Sequence, residues 1–109
     1  MSQFFPTSAE MSHHTIFPGV QIHTCAAEKM MLSLVDLAAG SAVAEHSHPH
    51  EQVGMVVSGQ LVFTIGGETK TLGPGEVYRI PGGVKHMVKT LDGPAQALDI
   101  FNPPREDYR

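Results

Sequence analysis

The sequence predicts an all-β fold in which short strands form a sandwich or barrel. Its 11 glycines and 8 prolines fall between short apolar runs, and no stretch keeps a helical period over several turns. The predicted strands recur about every ten residues, a spacing typical of sandwiches and barrels. A length of 109 residues fits one domain spanning 1–109, and no linker or low-complexity segment divides it.

The individual elements follow from alternation of apolar and polar residues and from the turn residues between them. Residues 1–18 are mixed and polar, which predicts an N-terminal arm or an edge strand. The predicted strands are 20–26, 30–37, 55–57, 60–65, 68–72, 76–80, 86–90 and 96–101. Gly66 and Gly67 join two of these strands in a hairpin, and Pro103 ends the last one because proline lacks the N–H that a ladder needs. A final helical turn is predicted at 105–109.

Composition and charge exclude several classes of function. Hydrophobic residues make up 41% of the chain and charged residues 17%, which is ordinary for a soluble globular protein. The formal net charge of −4 offers no basic surface for nucleic acid, and no apolar run approaches the roughly 20 residues of a membrane helix. The first residues lack the features of a signal peptide, and Cys25 is the only cysteine. We therefore expect a cytoplasmic protein without nucleic-acid or membrane partners.

Histidines are concentrated in one short segment of the chain. His46 and His48 lie two residues apart, so in a β-strand their side chains would point to the same face. His86 follows a Pro-Gly-Gly turn farther along. Three imidazoles without a thiolate predict a site for one divalent transition metal ion such as Ni, Zn, Fe or Mn. The alternative is that these histidines lie on the surface or pack in the core, but the flanking glycines at regular offsets favour the metal site.

The fourth ligand has three candidates. Gln52 has the same parity as the histidine pair, whereas Glu51 would point to the opposite face if the strand stays regular. Pro49 could break that regularity, and His50 shares the parity but falls where the chain turns. Parity therefore favours Gln52. A neutral ligand would leave the ion a stronger Lewis acid, held less tightly.

A second group of chemically interesting residues lies near the C-terminus. Asp99 and Phe101 share one face of the last predicted strand, while Leu98 and Ile100 form an apolar face expected to pack. Asp99 and Phe101 would then point into the cavity of a barrel, where a carboxylate can act as general acid or base. Arg105 could bind a substrate carboxylate through two hydrogen bonds. The alternative reading makes Asp99 an exposed strand residue and Arg105 a solvated tail charge.

These residues resemble the two motifs of the cupin family. The first motif, Gly…His-x-His…Glu…Gly, is matched by Gly40, His46, His48, Gln52 and Gly59. The second, Gly…Pro-x-Gly-x-x-His…Asn, is matched by Gly75, Pro81, Gly83, His86 and Thr90. Glutamine thus stands where the family has a ligand glutamate, and threonine where it has asparagine. The resemblance implies a jelly-roll barrel (a double-stranded β-helix), and the glutamine makes dioxygenase chemistry less expected.

A narrower resemblance, carried by 46–52 and 99–108, is to the pectin-degradation cupins of the KdgF type. It implies a metal-dependent enzyme that opens the ring of 4,5-unsaturated uronates, galacturonate- or mannuronate-type monosaccharides released by pectate and alginate lyases. The product would be the linear 4-deoxy-5-keto-uronate. The resemblance implies that His46, His48, Gln52 and His86 bind the metal ion. It also implies that Asp99, Phe101 and Arg105 form the reaction pocket.

Two other functions and the oligomeric state complete the expectations. The chain could be a sugar-binding cupin without catalysis, or a metal-dependent isomerase or dioxygenase of another small substrate. A homodimer is expected, because small cupins often pair through edge strands and the N-terminal arm is a candidate for exchange.

Overall fold

Ten β-strands and two single-turn 3₁₀ helices form the described part of the chain, residues 2–109, in a computed structural model. The first five strands are β1 (Ser12–Phe17), β2 (Val20–Ala26), β3 (Met31–Leu37), β4 (Ala42–His46) and β5 (Glu51–Ser58). The other five are β6 (Leu61–Ile65), β7 (Glu68–Leu72), β8 (Val77–Ile80), β9 (His86–Thr90) and β10 (Ala95–Asn102). The helices are η1 (Ser8–Glu10) and η2 (Glu106–Tyr108).

The strands are arranged in two antiparallel sheets. Within residues 2–109 the larger sheet has six strands in the order β1-β2-β3-β10-β5-β8, and the smaller has four in the order β4-β9-β6-β7. The inner faces of the two sheets meet in one apolar core. The predicted all-β fold is confirmed.

Alternation within each strand determines which side chains enter that core. In β3, buried and half-buried residues alternate without a break from Met31 to Leu37. The core also takes residues from both sheets, among them Val56 and Leu61, which are fully buried. Burying a side chain of this kind stabilises the fold by about 1.5–3 kcal/mol, so Leu61→Ala should cost about 2–5 kcal/mol.

The hairpin between β6 and β7 has the predicted turn. Gly66 and Gly67 have φ values of 57° and 83°, the left-handed conformation that both central residues of a type I′ turn require. Glycine adopts this conformation without steric cost. The turn sets the register that pairs Leu61 with Leu72 and Ile65 with Glu68.

Several boundaries differ from the sequence prediction. Strand β5 begins at Glu51 rather than at 55, because its first half carries the isolated glycine Gly54, which hides the apolar alternation. Strand β4 ends at His46, so the expectation that His46 and His48 share a strand is wrong. Of the predicted arm 1–18, residue 1 lies outside the described residues, and β1 is an edge strand paired with β2. No helix among residues 2–109 has the length and apolar character needed to cross a membrane.

One of the two expectations for the faces of β10 is met and the other is not. Asp99 and Phe101 point inward and are buried, as predicted. Leu98 and Ile100, expected to pack, lie instead on the outer face of the larger sheet, where Ile100 is 37% exposed. The prediction that Leu98 and Ile100 pack is therefore wrong for a single copy of the chain. The side of β10 that faces the core is the side that carries Asp99.

Candidate metal centre and adjoining pocket

Three histidines from different elements come together at one end of the sandwich. His46 ends β4 and His86 begins β9, and the two residues face each other in the antiparallel register. His48 lies in the loop that leads into β5. One nitrogen from each ring lies within 4.8 Å of the others, and the ring centroids of His46 and His86 are 4.2 Å apart. These three residues could hold a metal ion.

The second nitrogen of each ring is already engaged. The Nδ1–H of each imidazole donates to the carbonyl oxygen of a residue two positions away, at 2.8 Å for His46 and His86 and 3.1 Å for His48. A carbonyl only accepts, so Nδ1 carries the proton and Nε2 keeps its lone pair. This tautomer is the one that binds metal through Nε2, with the carbonyl holding the ring in place.

Gln52 completes the cluster from β5. Its Oε1 lies 3.1 Å from Nε2 of His48, and Asp99 is its diagonal neighbour on the inner face of the sheet. With Oε1 toward His48, the amide N–H end is the end that can donate to Asp99, because a carboxylate accepts. Two lone pairs then face each other with no proton between them. Donors bound to one ion at about 2.1 Å and roughly 90–100° are about 3 Å apart, so the donor set fits a cation.

The electrostatics of the cluster favour neutral imidazoles. Burial, together with the nearby charges of Arg105 and His86, lowers the pKa of His48 to about 4. Burial also lowers the pKa of His86. Neutral histidine is the form that binds metal, so neither ring has to release a proton to the solvent at neutral pH before binding.

The two other candidates for the fourth ligand lie away from the cluster centre. Glu51 is exposed, as expected for the residue next to inward-facing Gln52 in a strand. His50 packs its ring 5.4 Å from that of His48 and is not part of the three-histidine group within residues 2–109. His50 lies in the turn between β4 and β5, outside a regular strand, so its parity with Gln52 does not determine which way its side chain points.

A buried polar pair lies directly behind Gln52. The hydroxyl of Tyr78 on β8 donates to Oδ1 of Asp99 on β10 at 2.5 Å. Burial raises the pKa of Asp99 above its ordinary value, although hydrogen bonds from Tyr78 and Gln52 act in the opposite direction. Burial beside Asp99 also raises the pKa of Tyr78, so the phenol remains a donor. Asp99 is thus a carboxyl group poised to exchange a proton at a less acidic pH than usual.

The remaining predicted residues form an aromatic and cationic wall. Phe101 is 3% exposed and meets the ring of His48 edge-on at 5.6 Å. The guanidinium of Arg105 lies over the rings of Tyr108 and Phe101, at 3.9 and 5.3 Å from their centroids. It also forms two hydrogen bonds with Asp107, at 3.0 and 3.3 Å. Arg105 is therefore ordered at the pocket and paired with an exposed carboxylate.

The C-terminal tail is tied to the barrel at Tyr108. The carbonyl oxygen of Tyr108 accepts hydrogen bonds from Oγ1 of Thr24 at 2.7 Å and Nε2 of His14 at 3.0 Å. Both donors lie on strands β1 and β2, so the edge of the larger sheet positions the tail that carries Arg105.

Three residues that line this pocket were missed by the sequence analysis: Ser33, Tyr78 and Tyr108. Ser33 lies opposite Asp99 in the sheet, and its Oγ is buried without a hydrogen-bond partner among residues 2–109. Parity along β3 and β8 could have placed Ser33 and Tyr78 inside the barrel. No local pattern could have placed Tyr78 next to Asp99.

The fold and the motifs can be compared with known proteins. Residues 33–101 match the cupin domain family. The chain is a cupin. The predicted jelly-roll barrel is confirmed by its structural neighbours.

Two proteins are similar to this cupin in sequence over about 70% of its length. The uncharacterized protein SCO3923 of Streptomyces coelicolor is 33% identical over 75 residues, 69% of this chain and 71% of that protein. The dimethylsulfoniopropionate lyase DddQ of Ruegeria pomeroyi is 31% identical over 77 residues, 70% of this chain but 38% of that protein.

Two solved structures are similar over nearly their whole length. KdgF from a Halomonas species superposes with a TM-score of 0.85 at 28% identity, covering 94% of this cupin and 96% of that chain. An RmlC-like cupin from Shewanella frigidimarina superposes with a TM-score of 0.88 at 25% identity, covering 99% and 97%. The predicted resemblance to KdgF therefore extends to the whole barrel.

Proposed function

We propose that this cupin opens the ring of 4,5-unsaturated uronates to give linear 4-deoxy-5-keto-uronates. The observation that carries the proposal is a buried carboxyl group, Asp99, set beside a three-histidine cluster in a pocket bordered by Arg105. An anionic sugar that must move a proton needs these three features together. The similarity to KdgF over the whole barrel supports the same reading.

The chemistry of the substrate defines what the pocket must do. The substrate is a cyclic enol ether with a carboxylate and a free anomeric hydroxyl. A proton leaves the anomeric hydroxyl, C1 becomes an aldehyde as its bond to the ring oxygen breaks, and the ring oxygen becomes that of an enolate at C5. The same number of protons is returned when C4 of the enolate is protonated to give the ketone, so no atom is gained or lost. One group that accepts and returns a proton serves both steps.

Asp99 is the group that we assign to the proton transfer. Burial raises the pKa of this carboxyl toward neutral pH, where both its protonated and its ionised forms are accessible. Its position inside the barrel restricts competing water.

Binding of the uronate is assigned to the aromatic and cationic wall. Arg105 can bind the substrate carboxylate through two hydrogen bonds in place of Asp107, whose side chain is 59% exposed. Phe101 and Tyr108 can cover the sugar ring, and the unpartnered hydroxyl of Ser33 can bond a sugar hydroxyl. The exchange replaces one carboxylate on Arg105 by another and returns the Asp107 carboxylate to water.

The metal ion is assigned to His46, His48, Gln52 and His86. A divalent ion such as Ni, Zn, Fe or Mn held there would supply Lewis acidity toward substrate oxygens. The protein's own part is to keep the imidazoles neutral and aimed, and to hold Asp99 beside Gln52 on the inner face of the sheet. Which metal is bound, like the cytoplasmic location, remains a prediction.

The test is turnover of unsaturated galacturonate by purified protein whose metal content is measured in the same sample. We expect faster loss of the ultraviolet absorbance of the 4,5-double bond than the spontaneous rate, with the linear ketone seen by NMR. Asp99→Ala should abolish this gain. Full activity in that variant would remove Asp99 from the mechanism.

Other outcomes would select a different function. Thermal stabilisation by uronates without turnover would indicate a sugar-binding cupin. Oxygen consumption with another small substrate would indicate a dioxygenase. Because DddQ is 31% identical, dimethylsulfoniopropionate should be assayed alongside, and its cleavage in preference to the uronate would overturn the proposal.

A further inference from the structure

We propose that Tyr78 and Asp99 form a positioning relay that keeps the carbonyl oxygen of Gln52, and not its amide nitrogen, directed at the three-histidine cluster. The inference rests on Gln52 as a metal ligand and is independent of the reaction that the cupin catalyses. It assigns a role to Tyr78, which does not belong to the cluster.

The relay depends on a glycine between two strands. Tyr78 on β8 and Asp99 on β10 both pair with Gly54 on β5, from opposite sides. They are two strands apart, about 10 Å between backbones, and their side chains meet above Gly54. A Cβ at Gly54 would overlap the Tyr78 hydroxyl and Oδ1 of Asp99. The absence of a side chain at this position is therefore a requirement of the hydrogen bond.

The direction of each hydrogen bond then follows along the relay. The Tyr78 hydroxyl donates to Asp99, which fixes the carboxylate as an acceptor in one orientation. Asp99 is in turn the diagonal neighbour of Gln52 on the same inner face, where its carboxylate can accept only from the N–H end of the amide. The other end of the amide, Oε1, is left facing Nε2 of His48 at 3.1 Å. Phe63 stacks on the Tyr78 ring with centroids 4.2 Å apart and makes no hydrogen bond in the relay.

A glutamine needs this help where a glutamate would not. The two ends of an amide are nearly identical in shape, but only the oxygen end can bind a cation. With the ends exchanged, the NH₂ group would donate to His48 and occupy its lone pair. A carboxylate has two equivalent oxygens and no wrong orientation. The relay is thus required because position 52 carries a glutamine, whose amide must be held in one of two orientations.

The test is a double-mutant cycle on metal affinity. Chelator-stripped protein is titrated with Zn²⁺ by calorimetry, so that no enzymatic activity is needed. Tyr78→Phe should weaken binding by about 10-fold or more, in the range found when groups behind metal ligands are removed. In a Gln52→Ala background, where no amide remains to be oriented, the same change should alter affinity by less than about twofold.

The controls separate positioning from general damage. Phe63→Leu loosens the same stacked pair without removing a hydrogen bond, and it should leave Zn²⁺ affinity unchanged. An equal loss from Tyr78→Phe in both backgrounds, or none in the wild type, would overturn the relay. If Tyr78→Phe does not fold, NMR of the wild type decides: the Gln52 side-chain NH₂ should show contacts to the Tyr78 ring, and contacts to the His48 ring instead would refute the proposal.

Discussion

Protonation of His48 should make a defined contribution to acid sensitivity. The pKa of His48 is about 4 in the folded protein and 6.5 for an unperturbed histidine. Between these values the unfolded chain binds a proton that the folded chain excludes, so stability is complete above pH 6.5 and falls as the pH is lowered toward 4. The separation corresponds to about 3.4 kcal/mol, of which about 2.5 kcal/mol is expressed at pH 4.5.

Urea denaturation of metal-free wild type and His48→Gln at pH 7.5 and 4.5 measures this contribution. Metal is removed because ligand protonation adds its own pH dependence when metal is bound. Other groups titrate equally in both proteins, so the wild type should lose about 2.5 kcal/mol more than His48→Gln between the two pH values. Equal losses would show that burial does not exclude the proton from His48, and would remove the electrostatic argument for a neutral cluster.

Three further predictions follow from single contacts. His46→Ala should lose stoichiometric metal by plasma emission spectrometry while the melting temperature in chelator changes little, since His46 is only half-buried; retained metal would contradict the cluster. Gly54→Ala should lower the unfolding free energy in urea by about 1–3 kcal/mol through overlap with Tyr78, whereas Gly93→Ala, with no atom within 4 Å of the added carbon, should not. Arg105→Lys keeps the charge but loses the two-hydrogen-bond fork, so KM for the uronate should rise about 10-fold or more with a smaller change in kcat; an unchanged KM would exclude carboxylate binding there.

The parts of this site that could be predicted from sequence are those governed by local periodicity. Alternation correctly placed Asp99 and Phe101 on one face and Gln52 opposite Glu51, because the side-chain period of a strand is two regardless of its neighbours. His46 and His48 do lie close together, as their spacing predicted, but not because they share a strand face. The pair spans the end of β4 and a loop, and backbone carbonyls rather than strand geometry aim the rings.

Other parts depend on strand order, which local periodicity does not contain. Tyr78 meets Asp99 only because β5 lies between β8 and β10 and carries glycine at the shared row. The exposure of Leu98 and Ile100 likewise depends on which side of β10 the smaller sheet covers. Apolar character predicted that Leu98 and Ile100 pack, but within residues 2–109 the only layer that covers β10 lies on the other side, over Asp99 and Phe101.

The substitution of glutamine for glutamate in the first cupin motif is best understood together with Asp99. A glutamate at position 52 would place its negative charge on the ion. In the proposed site residue 52 is neutral, and the carboxyl group of Asp99, which accepts a hydrogen bond from Tyr78, lies beside it. The negative charge would thereby stay near a bound ion but separated from it, where the carboxyl can still exchange a proton. Under the proposed ring opening, that separation lets one carboxyl group tune the ligand and carry the proton.

A Gln52→Glu variant would crowd two carboxyl groups into the same space. Like charges there would keep one of the two protonated, so this variant should bind Zn²⁺ at least as tightly as the wild type and yet open the uronate ring more slowly.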